Sequence, residues 1–381
     1  MAGIYIHIPF CKQACHYCNF HFSTQYALKE DLLHAIRKEI EDRRDYFKKK
    51  DNTQHLIETI YFGGGTPSLL NTLEITALID QLSSHFHISS TVEITLEANP
   101  DDLTKSYLSD LKNAGVNRLS IGIQSFKDDL LQYMNRAHTA KESWAAIHNS
   151  LNAGFKSLNI DMIFGIPGLS TKDWEQSLSD LTQLPVNHLS CYGLTIEPKT
   201  VLMDQIKKQR SPVPDEALMA EQFLVASNLL QIVGYTHYEI SNYAFKEQYS
   251  KHNTAYWKNE IYLGLGPSAH SYSNHTRSWN VANNARYIKA LNNRKPYYES
   301  EVLEMNDQFN EYIMTGLRTK WGISLSIIEQ QFGANFKLHV SKQLQKINAS
   351  YYQMNDNNHL VLTQLGWLWT DSILQELFCE S

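Results

Sequence analysis

The sequence predicts an α/β protein, a partial (β/α)6 barrel followed by a C-terminal module that is mostly helical and winged-helix-like. Two observations predict the barrel. Short β-rich runs alternate with amphipathic helical stretches up to about residue 196, and the β-rich runs are apolar almost throughout, as expected of strands covered on both faces. A third observation, the length of 381 residues, exceeds what one hydrophobic core usually supports and predicts more than one domain.

Six strands are predicted from the apolar runs, at residues 3–8, 57–62, 92–98, 116–123, 157–165 and 188–196. Between them, apolar residues recur at helical spacing and predict helices, at residues 29–47, 72–86, 143–155 and 170–184. Strands that alternate with helices in this way form a parallel sheet. Loops that follow the strands then meet at its C-terminal edge, where ligands bind in parallel barrels.

Three segments follow from this pattern. Residues 1–200 are expected to form the barrel, and residues 201–295 a linker and loop-rich extension that starts with a charged, proline-containing run. Residues 296–381 contain several helical stretches and a short strand at 359–363, which predict the C-terminal module.

Composition excludes several functional classes. The net charge of −6 argues against a dedicated nucleic-acid binder, because such proteins carry a basic surface. The first residues lack a charged leader with a long apolar run, and no window has the 18 apolar residues of a transmembrane helix. A cytoplasmic protein without a transmembrane segment is therefore expected, and in that reducing compartment clustered cysteines bind metal or do redox chemistry.

Three of the five cysteines follow the first strand in the spacing C-x3-C-x2-C, as Cys11, Cys15 and Cys18. Three thiolates on one loop can hold a [4Fe-4S] cluster and leave one iron open for a substrate, whereas an electron-transfer cluster is closed by a fourth cysteine. The alternative is a zinc site whose fourth ligand is a nearby histidine: His7, His16 or His21.

Polar residues and glycines stand at the ends of the next strands. The glycine run that includes Gly64 and Gly65 permits close approach to the backbone and is expected to expose amide N–H donors. Glu97 ends the third strand, where a carboxylate can bond ribose hydroxyls. The remaining polar candidates are Gln124, Arg136 and Asp161. Each of them alone is better explained as a helix cap or an internal salt bridge; their repetition at successive strand ends favours a ligand site.

The motifs CKQACHYCNF, GGGTPS, EANP, GIQSF and IDMIFGIPG, in this order, resemble the radical S-adenosylmethionine superfamily. Within it the chain is similar to oxygen-independent coproporphyrinogen dehydrogenases and to HemW-type heme chaperones. The resemblance covers nearly the whole chain. It implies that the three cysteines hold a [4Fe-4S] cluster whose open iron binds S-adenosylmethionine, which is then cleaved to a 5'-deoxyadenosyl radical. It also implies S-adenosylmethionine contacts by Tyr5, Gly64, Gly65, Thr66, Glu97, Gln124, Arg136 and Asp161.

Two features separate the branches. The dehydrogenases carry a fourth motif cysteine and an N-terminal arm, whereas this chain has Phe20 in the cysteine position and a first strand that begins at residue 3. Both departures favour the chaperone branch. The alternatives are an oxygen-independent coproporphyrinogen III dehydrogenase, another radical enzyme that acts on a small aromatic substrate, and a zinc-binding scaffold.

The segment KHNTAYW contains His252, Asn253, Tyr256 and Trp257, the H-N-x-x-Y-W pattern associated with heme binding in HemW-type proteins. A neutral imidazole can ligate heme iron, and aromatic side chains can cover a porphyrin face. The resemblance therefore implies heme as a ligand and heme-accepting apoproteins, membrane respiratory enzymes among them, as partners. His270 is a second, weaker candidate for ligand contact, and Cys191 and Cys379 are expected to have no role in the site.

Overall fold

The computed structural model describes residues 1–49 and 51–380 of the chain. The first half forms six parallel strands, β1 (Ala2–Ile8), β2 (Ile57–Gly64), β3 (Ile88–Ala98), β4 (Arg118–Gln124), β5 (Ser157–Phe164) and β6 (His188–Gly193). They pair in chain order, each parallel to the next. The predicted α/β barrel architecture and its six strands are thus confirmed, although β3 begins four residues before its predicted start.

Helices connect the strands and cover the outer face: α1 (Lys29–Asp42), α2 (Thr72–His85), α3 (Lys105–Asn113), α4 (Asp128–Tyr133), α5 (Ala140–Asn152) and α6 (Thr171–Thr182). Short 3-10 turns lie at Pro67–Leu69 and Pro100–Asp102. Local sequence sets where these helices begin. Asn71 and Glu74 form a capping box at the start of α2, in which each side chain bonds the other residue's backbone N–H.

Strand register brings the predicted site residues together. Ile8 pairs with Gly64, and Phe62 pairs with Leu96, so the ends of β1, β2 and β3 lie at one edge of the sheet. Along β1, Ile4, Ile6 and Ile8 are fully buried on the face covered by helices, whereas the intervening side chains point into the barrel. The loop after β1 therefore starts beside the glycine run and Glu97.

The segment 201–295 is built of regular elements. It contains α7 (Val201–Lys207), α8 (Glu216–Ile232), α9 (Lys251–Trp257), α10 (Asn284–Asn292) and the strands β7 (Tyr235–Glu239), β8 (Asn242–Phe245), β9 (Ile261–Leu265), β10 (His270–Ser273) and β11 (Thr276–Asn280). These strands and β12 (Tyr298–Val302) extend both edges of the sheet, in the order β12-β11-β10-β9-β1-β2-β3-β4-β5-β6-β8-β7. These short runs, rich in polar and aromatic residues, form strands because the edge strands of the barrel offer unpaired backbone groups for hydrogen bonding.

The C-terminal part contains α11 (Met305–Leu317), α12 (Leu325–Phe332), α13 (Ala334–Leu344), a 3-10 turn at Ala349–Tyr351, the hairpin of β13 (Tyr352–Met354) and β14 (Leu360–Leu362), α14 (Gln364–Leu368) and α15 (Thr370–Leu377). Helices with one small antiparallel strand pair are the arrangement that the sequence predicted. Among the described residues, no helix combines the length and apolar character needed to cross a membrane.

Candidate functional site

The cysteine loop leaves β1 and is fixed at its base by the backbone. The N–H of Cys11 donates to the carbonyl of Ser23 at 3.0 Å, and the N–H of Ser23 donates to the carbonyl of Pro9 at 2.7 Å. The N–H of Thr66, just past β2, donates to the carbonyl of Phe10 at 2.7 Å. The loop is thus closed on itself and tied to the glycine run.

The rest of the loop is held by the segment that follows α4. The N–H of His16 donates to the carbonyl of Met134 at 3.1 Å, and the side-chain amide of Asn135 donates to the carbonyl of Ala14 at 2.7 Å. Asn135 has a left-handed backbone with φ of 56°, which asparagine tolerates better than most residues. These contacts use backbone atoms of the loop. The three cysteine thiols form no disulfide bonds.

Arg136 links the cysteine loop to the ends of two strands. Its Nη1 donates to the sulfur of Cys15 at 3.2 Å, and its Nη2 donates to the side-chain oxygen of Asn99 at 2.7 Å and to the carbonyl of Gly122 at 2.8 Å. Burial alone would lower the pKa of Arg136, but the neighbouring Tyr17 and Cys15 raise it above its usual value. A permanent positive charge therefore lies beside the thiols, and the Nε atom of Arg136 is buried without a hydrogen-bond partner.

The thiols themselves are partly exposed. Burial raises the pKa of Cys11 to about 11, against the lowering effects of Thr66 and Arg136, and burial also raises the pKa of Cys18. Of the histidines that could complete a zinc site, His7 uses both ring nitrogens, with the Tyr5 hydroxyl at 3.2 Å and the His21 carbonyl at 2.9 Å. In residues 1–49 and 51–380, no three His, Cys, Asp or Glu side chains are placed to hold a single metal ion.

Glu97 lies inside the barrel at this edge. Its carboxylate accepts hydrogen bonds from the Tyr61 hydroxyl at 2.8 Å and from the N–H of Gly64 at 3.1 Å. Burial raises the pKa of Glu97 to about 7, an effect that the Tyr61 hydrogen bond opposes and the charge of Asp161 increases. A carboxyl group held by donors at the rim can accept hydrogen bonds from hydroxyl groups of a ligand.

The glycine run brings chain segments close to one another. Gly64 has φ of 110°, and a Cβ there would stand 2.6 Å from the His7 ring, so a larger residue would clash. A Cβ on Gly65 would stand 2.7 Å from the Phe10 carbonyl oxygen, and the Gly65 N–H donates to the Ile8 carbonyl at 2.9 Å. The sequence predicted free amide donors here, whereas the N–H groups of residues 64–66 are bonded within the protein.

The other two polar candidates lie on β5 and at the end of β4. Asp161 is enclosed in the barrel, where its carboxylate accepts from Asn159 at 2.7 Å and Ser120 at 3.1 Å. Burial raises the pKa of Asp161, opposed by hydrogen bonds from Ser190, Ser120 and Asn159. Gln124 ends β4 at a register shift and has φ of 68°, a strained value for this residue.

The helix α9 carries the H-N-x-x-Y-W pattern and inserts His252 into the barrel. His252 is only 2% exposed; its Nδ1 bonds the Thr59 hydroxyl at 2.8 Å and its Nε2 bonds the Tyr256 hydroxyl at 2.9 Å. Its ring stacks on Tyr61 with centroids 4.9 Å apart. Burial lowers the pKa of His252 to about 3, with a further lowering by Arg118, so the imidazole is neutral. To ligate iron, it would have to give up the hydrogen bond at one of these nitrogens, inside the barrel.

Tyr256 connects this helix to an open cavity of about 470 Å³, a usual size for a small-molecule site. Asn253 and Trp257 are half-buried on the same helix and do not line the cavity. The cavity lies between the barrel rim, the hairpin β10–β11 and α11. Its walls include Tyr5, His7, Phe20, His21, Tyr256, Asn259, Tyr262, Ser268, His270, Tyr272, Arg277, Glu311, Met314 and Thr315.

Comparison with known proteins fits this arrangement. The chain is 34% identical to the heme chaperone HemW of Bacillus subtilis, in an alignment that covers 97% of each protein. The chain belongs to the HemW family. Residues 5–181 match the radical SAM superfamily, and residues 303–369 match the HemN C-terminal domain. The family thus spans both the barrel with its cysteine loop and the C-terminal part, whose helix α11 forms one wall of the cavity.

Two further relatives extend the comparison. The mitochondrial radical S-adenosyl methionine domain-containing protein 1 of Danio rerio is 29% identical, with 100% of this chain and 87% of that protein covered. The solved structure of the Escherichia coli coproporphyrinogen III oxidase HemN superposes with a TM-score of 0.83 at 22% identity, covering 99% of this chain and 90% of that one. At this identity the superposition shows a shared fold.

Several residues of the site escaped sequence analysis. Asn99 accepts from Arg136 and donates to the Thr66 hydroxyl at 3.3 Å, so it joins the two sides of the cysteine loop. Its place at the end of β3, directly before a proline, was the available signal. Glu39 is buried in α1 and accepts from the Gly266 N–H at 2.8 Å and from Asn280 at 2.7 Å. No sequence pattern distinguished Glu39 from a surface residue, because its partners lie more than 220 residues away.

Proposed function

We propose that this protein is a heme chaperone that carries a [4Fe-4S] cluster and S-adenosylmethionine at the rim of its barrel, binds heme beside them, and passes heme to apoproteins such as respiratory cytochromes. One observation carries the proposal. The cavity is lined both by Phe20 and His21, from the end of the cysteine loop, and by Tyr256 and Asn259, from the H-N-x-x-Y-W helix and its end. A ligand in this cavity would contact both predicted sites at once.

The donor set fits an iron–sulfur cluster. Cys11, Cys15 and Cys18 offer three thiols on one loop, and Arg136 places a buried positive charge 3.2 Å from one sulfur, which favours an anionic ligand shell. We assign the cluster to these three cysteines. When bound, such a cluster supplies one-electron chemistry to a ligand on its open iron. Arg136 would bind the carboxylate of S-adenosylmethionine, since its Nε has no partner in the protein.

The remaining S-adenosylmethionine contacts are assigned to the same rim. Tyr5 and Glu97 point into the barrel beside the loop, and the pKa of Tyr5 is raised by burial and by the charge of Glu97. Glu97 would accept from ribose hydroxyls, and the glycine run would allow close approach through its backbone. The full proposed set is Tyr5, Gly64, Gly65, Thr66, Glu97, Gln124, Arg136 and Asp161, with Asp161 acting from within the barrel.

For heme, the proposal assigns His252, Asn253, Tyr256 and Trp257 to the binding region, with different tasks. Tyr256 lines the cavity, and its hydrogen bond with His252 orients it. His252 is therefore a positioning residue in this scheme. The five unpaired cysteines suit a reducing cytoplasm, which we propose as the location; acceptors there would include apoproteins of membrane respiratory enzymes.

The test measures heme transfer and coproporphyrinogen III conversion separately. Protein reconstituted with iron and sulfide under argon is loaded with heme and mixed with an apocytochrome, and the acceptor's absorption spectrum is followed. In parallel, the reconstituted protein receives reductant, S-adenosylmethionine and coproporphyrinogen III, and protoporphyrinogen is measured by mass spectrometry. We expect heme transfer and no protoporphyrinogen. Protoporphyrinogen formation would instead identify a coproporphyrinogen III dehydrogenase in spite of Phe20, and absence of heme binding would overturn the chaperone proposal.

A further inference from the structure

The cavity beside the barrel contains a histidine with the properties of an iron ligand, and it lies outside the H-N-x-x-Y-W helix. Three histidines line the cavity: His7, His21 and His270. His7 uses both ring nitrogens in hydrogen bonds, and His21 bonds Asn284 through Nε2 at 2.7 Å. His270 is exposed, and its ring forms no hydrogen bond within the part of the chain that the structure describes. His21 keeps an unbonded Nδ1, but its ring is half-buried and stacks on His7 with centroids 6.0 Å apart, whereas both ring nitrogens of the exposed His270 are unbonded.

The backbone holds His270 firmly although its ring is free. His270 begins β10 and pairs with Trp279 of β11, and its carbonyl oxygen lies against Gly264, where a Cβ would stand only 2.0 Å away. The preceding loop is anchored by the buried Glu39, which accepts from the N–H of Gly266. The strand therefore fixes the backbone of His270 while its ring nitrogens stay unbonded, so iron can bind there without breaking a hydrogen bond of the protein.

The other walls suit a flat aromatic ligand with carboxylates. Tyr262 lies edge-on to Tyr256, with ring centroids 4.4 Å apart, and its ring is near parallel to that of Tyr272 at 6.4 Å. Arg277 lines the same cavity and forms ion pairs with Glu311 and, at 3.8 Å, with Glu301. Tyrosine faces can cover a porphyrin, and an arginine can exchange a partly exposed carboxylate partner for a propionate.

We infer that His270 is the axial ligand of heme iron in this protein, and that Arg277 binds a heme propionate. The inference deepens the proposed chaperone function and rests on it. It assigns the iron to the hairpin β10–β11 and leaves His252 in the barrel, where both nitrogens are bonded. Because His270 lies on an exposed hairpin at an open cavity, an acceptor protein can reach the iron and replace the imidazole with its own ligand.

The experiment compares two histidines of one hairpin. His270→Asn and His275→Asn are each titrated with hemin, and affinity and the Soret spectrum are recorded. His275 is exposed in the turn of the hairpin, has φ of 60° and does not line the cavity, so asparagine fits its backbone. We expect His270→Asn to weaken binding about tenfold or more and to change the Soret band, and His275→Asn to match the wild type. A normal spectrum in His270→Asn overturns the inference.

A second variant guards against misfolding. His270→Tyr retains an oxygen ligand for ferric heme, so we expect it to bind hemin with a shifted spectrum rather than to lose it. For Arg277→Gln, we expect hemin affinity to fall about two- to fivefold, while the affinity for the hemin dimethyl ester, which lacks carboxylates, stays unchanged. Equal losses for both compounds would overturn the propionate assignment.

The two proposals can fail separately. If the wild-type protein binds hemin and transfers it while the His270 variants keep the wild-type spectrum, the chaperone function stands and the His270 assignment is wrong. If the wild-type protein does not bind hemin, both are overturned. Loss of the signal in His252→Ala together with an unchanged His270→Asn would place the iron at the H-N-x-x-Y-W helix instead.

Discussion

The cysteine loop and the H-N-x-x-Y-W helix both carry side chains that can bind metals, but the fold treats them in opposite ways. The loop is bonded through its backbone, and its three thiols stay partly exposed beside Arg136. On the helix, the imidazole of His252 is itself part of the packing, with both nitrogens bonded and its ring stacked on Tyr61. The comparison teaches that a potential ligand stays accessible to a metal when backbone bonds hold its segment in place, and becomes inaccessible when its own side chain forms part of the packing.

The first way to break this comparison is to remove a thiol. Cys15→Ala should abolish the visible absorption of the cluster after anaerobic reconstitution, because two cysteines cannot replace three as ligands. Iron and acid-labile sulfide are measured alongside the spectrum. Cys379→Ala is the matched control, since this half-buried thiol near the C-terminus lies in another part of the molecule, and it should reconstitute normally. Full iron and sulfide in Cys15→Ala would refute the cluster assignment.

The second test removes the packed imidazole. His252→Ala should lower the free energy of unfolding by about 2–4 kcal/mol, because it leaves Thr59 without a buried hydrogen bond and opens a gap beside Tyr61. Urea titration measures this loss. His148→Ala, an exposed position in α5, should change stability by no more than about 0.5 kcal/mol.

The same His252 variant sharpens the comparison through its heme spectrum. We expect the folded fraction of His252→Ala to keep the wild-type position of the Soret band, since His252 does not line the cavity, while hemin affinity falls because Tyr256 loses the hydrogen bond that orients it. If His252→Ala kept the stability of the wild type but lost the heme spectrum, His252 would be the iron ligand and the comparison would be reversed.

The third test concerns Glu39, a buried carboxyl group whose two oxygens both accept hydrogen bonds. Burial raises the pKa of Glu39 to about 7 against the lowering effects of Tyr287, Gly266 and Asn280. The pKa of Glu39 in the folded protein lies above the usual 4.5. The contribution of protonated Glu39 to the free energy of unfolding is therefore complete below about pH 4.5 and is lost as the pH rises through 7. Over this pH range, the free energy of unfolding of the wild type should therefore fall by up to about 3 kcal/mol relative to that of Glu39→Gln.

Urea titrations of both proteins at several pH values check this expectation, and Glu30→Gln, on the exposed start of α1, serves as the control for removing a carboxylate from the same helix. A constant difference between wild type and Glu39→Gln across the range would show that Glu39 is ionised in the folded protein. The effect is on stability alone, as expected of a side chain whose polar atoms are bonded within the fold.

Most of the barrel could be predicted from sequence because its strands are nearly continuous apolar runs and its helices have clear periodicity. The segment 201–295 could not. Its short strands, such as β8 and β10, are only four residues long, and they pair because β6 and β9 offer edges for pairing. Strand formation there depends on partners that are distant in sequence, which local patterns do not contain.

The candidate site also has features that local sequence predicts and features that depend on tertiary structure. The sequence by itself determined the cysteine loop, because three thiols spaced C-x3-C-x2-C directly after a strand lie on one loop at the edge of the sheet wherever the rest of the chain goes. It also determined the order of polar residues along the rim. Only the tertiary structure decided that the N–H groups of the glycine run are used internally, that His252 is sealed inside the barrel, and that His270 and Arg277 share a cavity with Tyr256. The reason is physical: residue type sets which bonds a side chain can form, whereas packing decides whether its donor and acceptor atoms are already bonded when a ligand arrives.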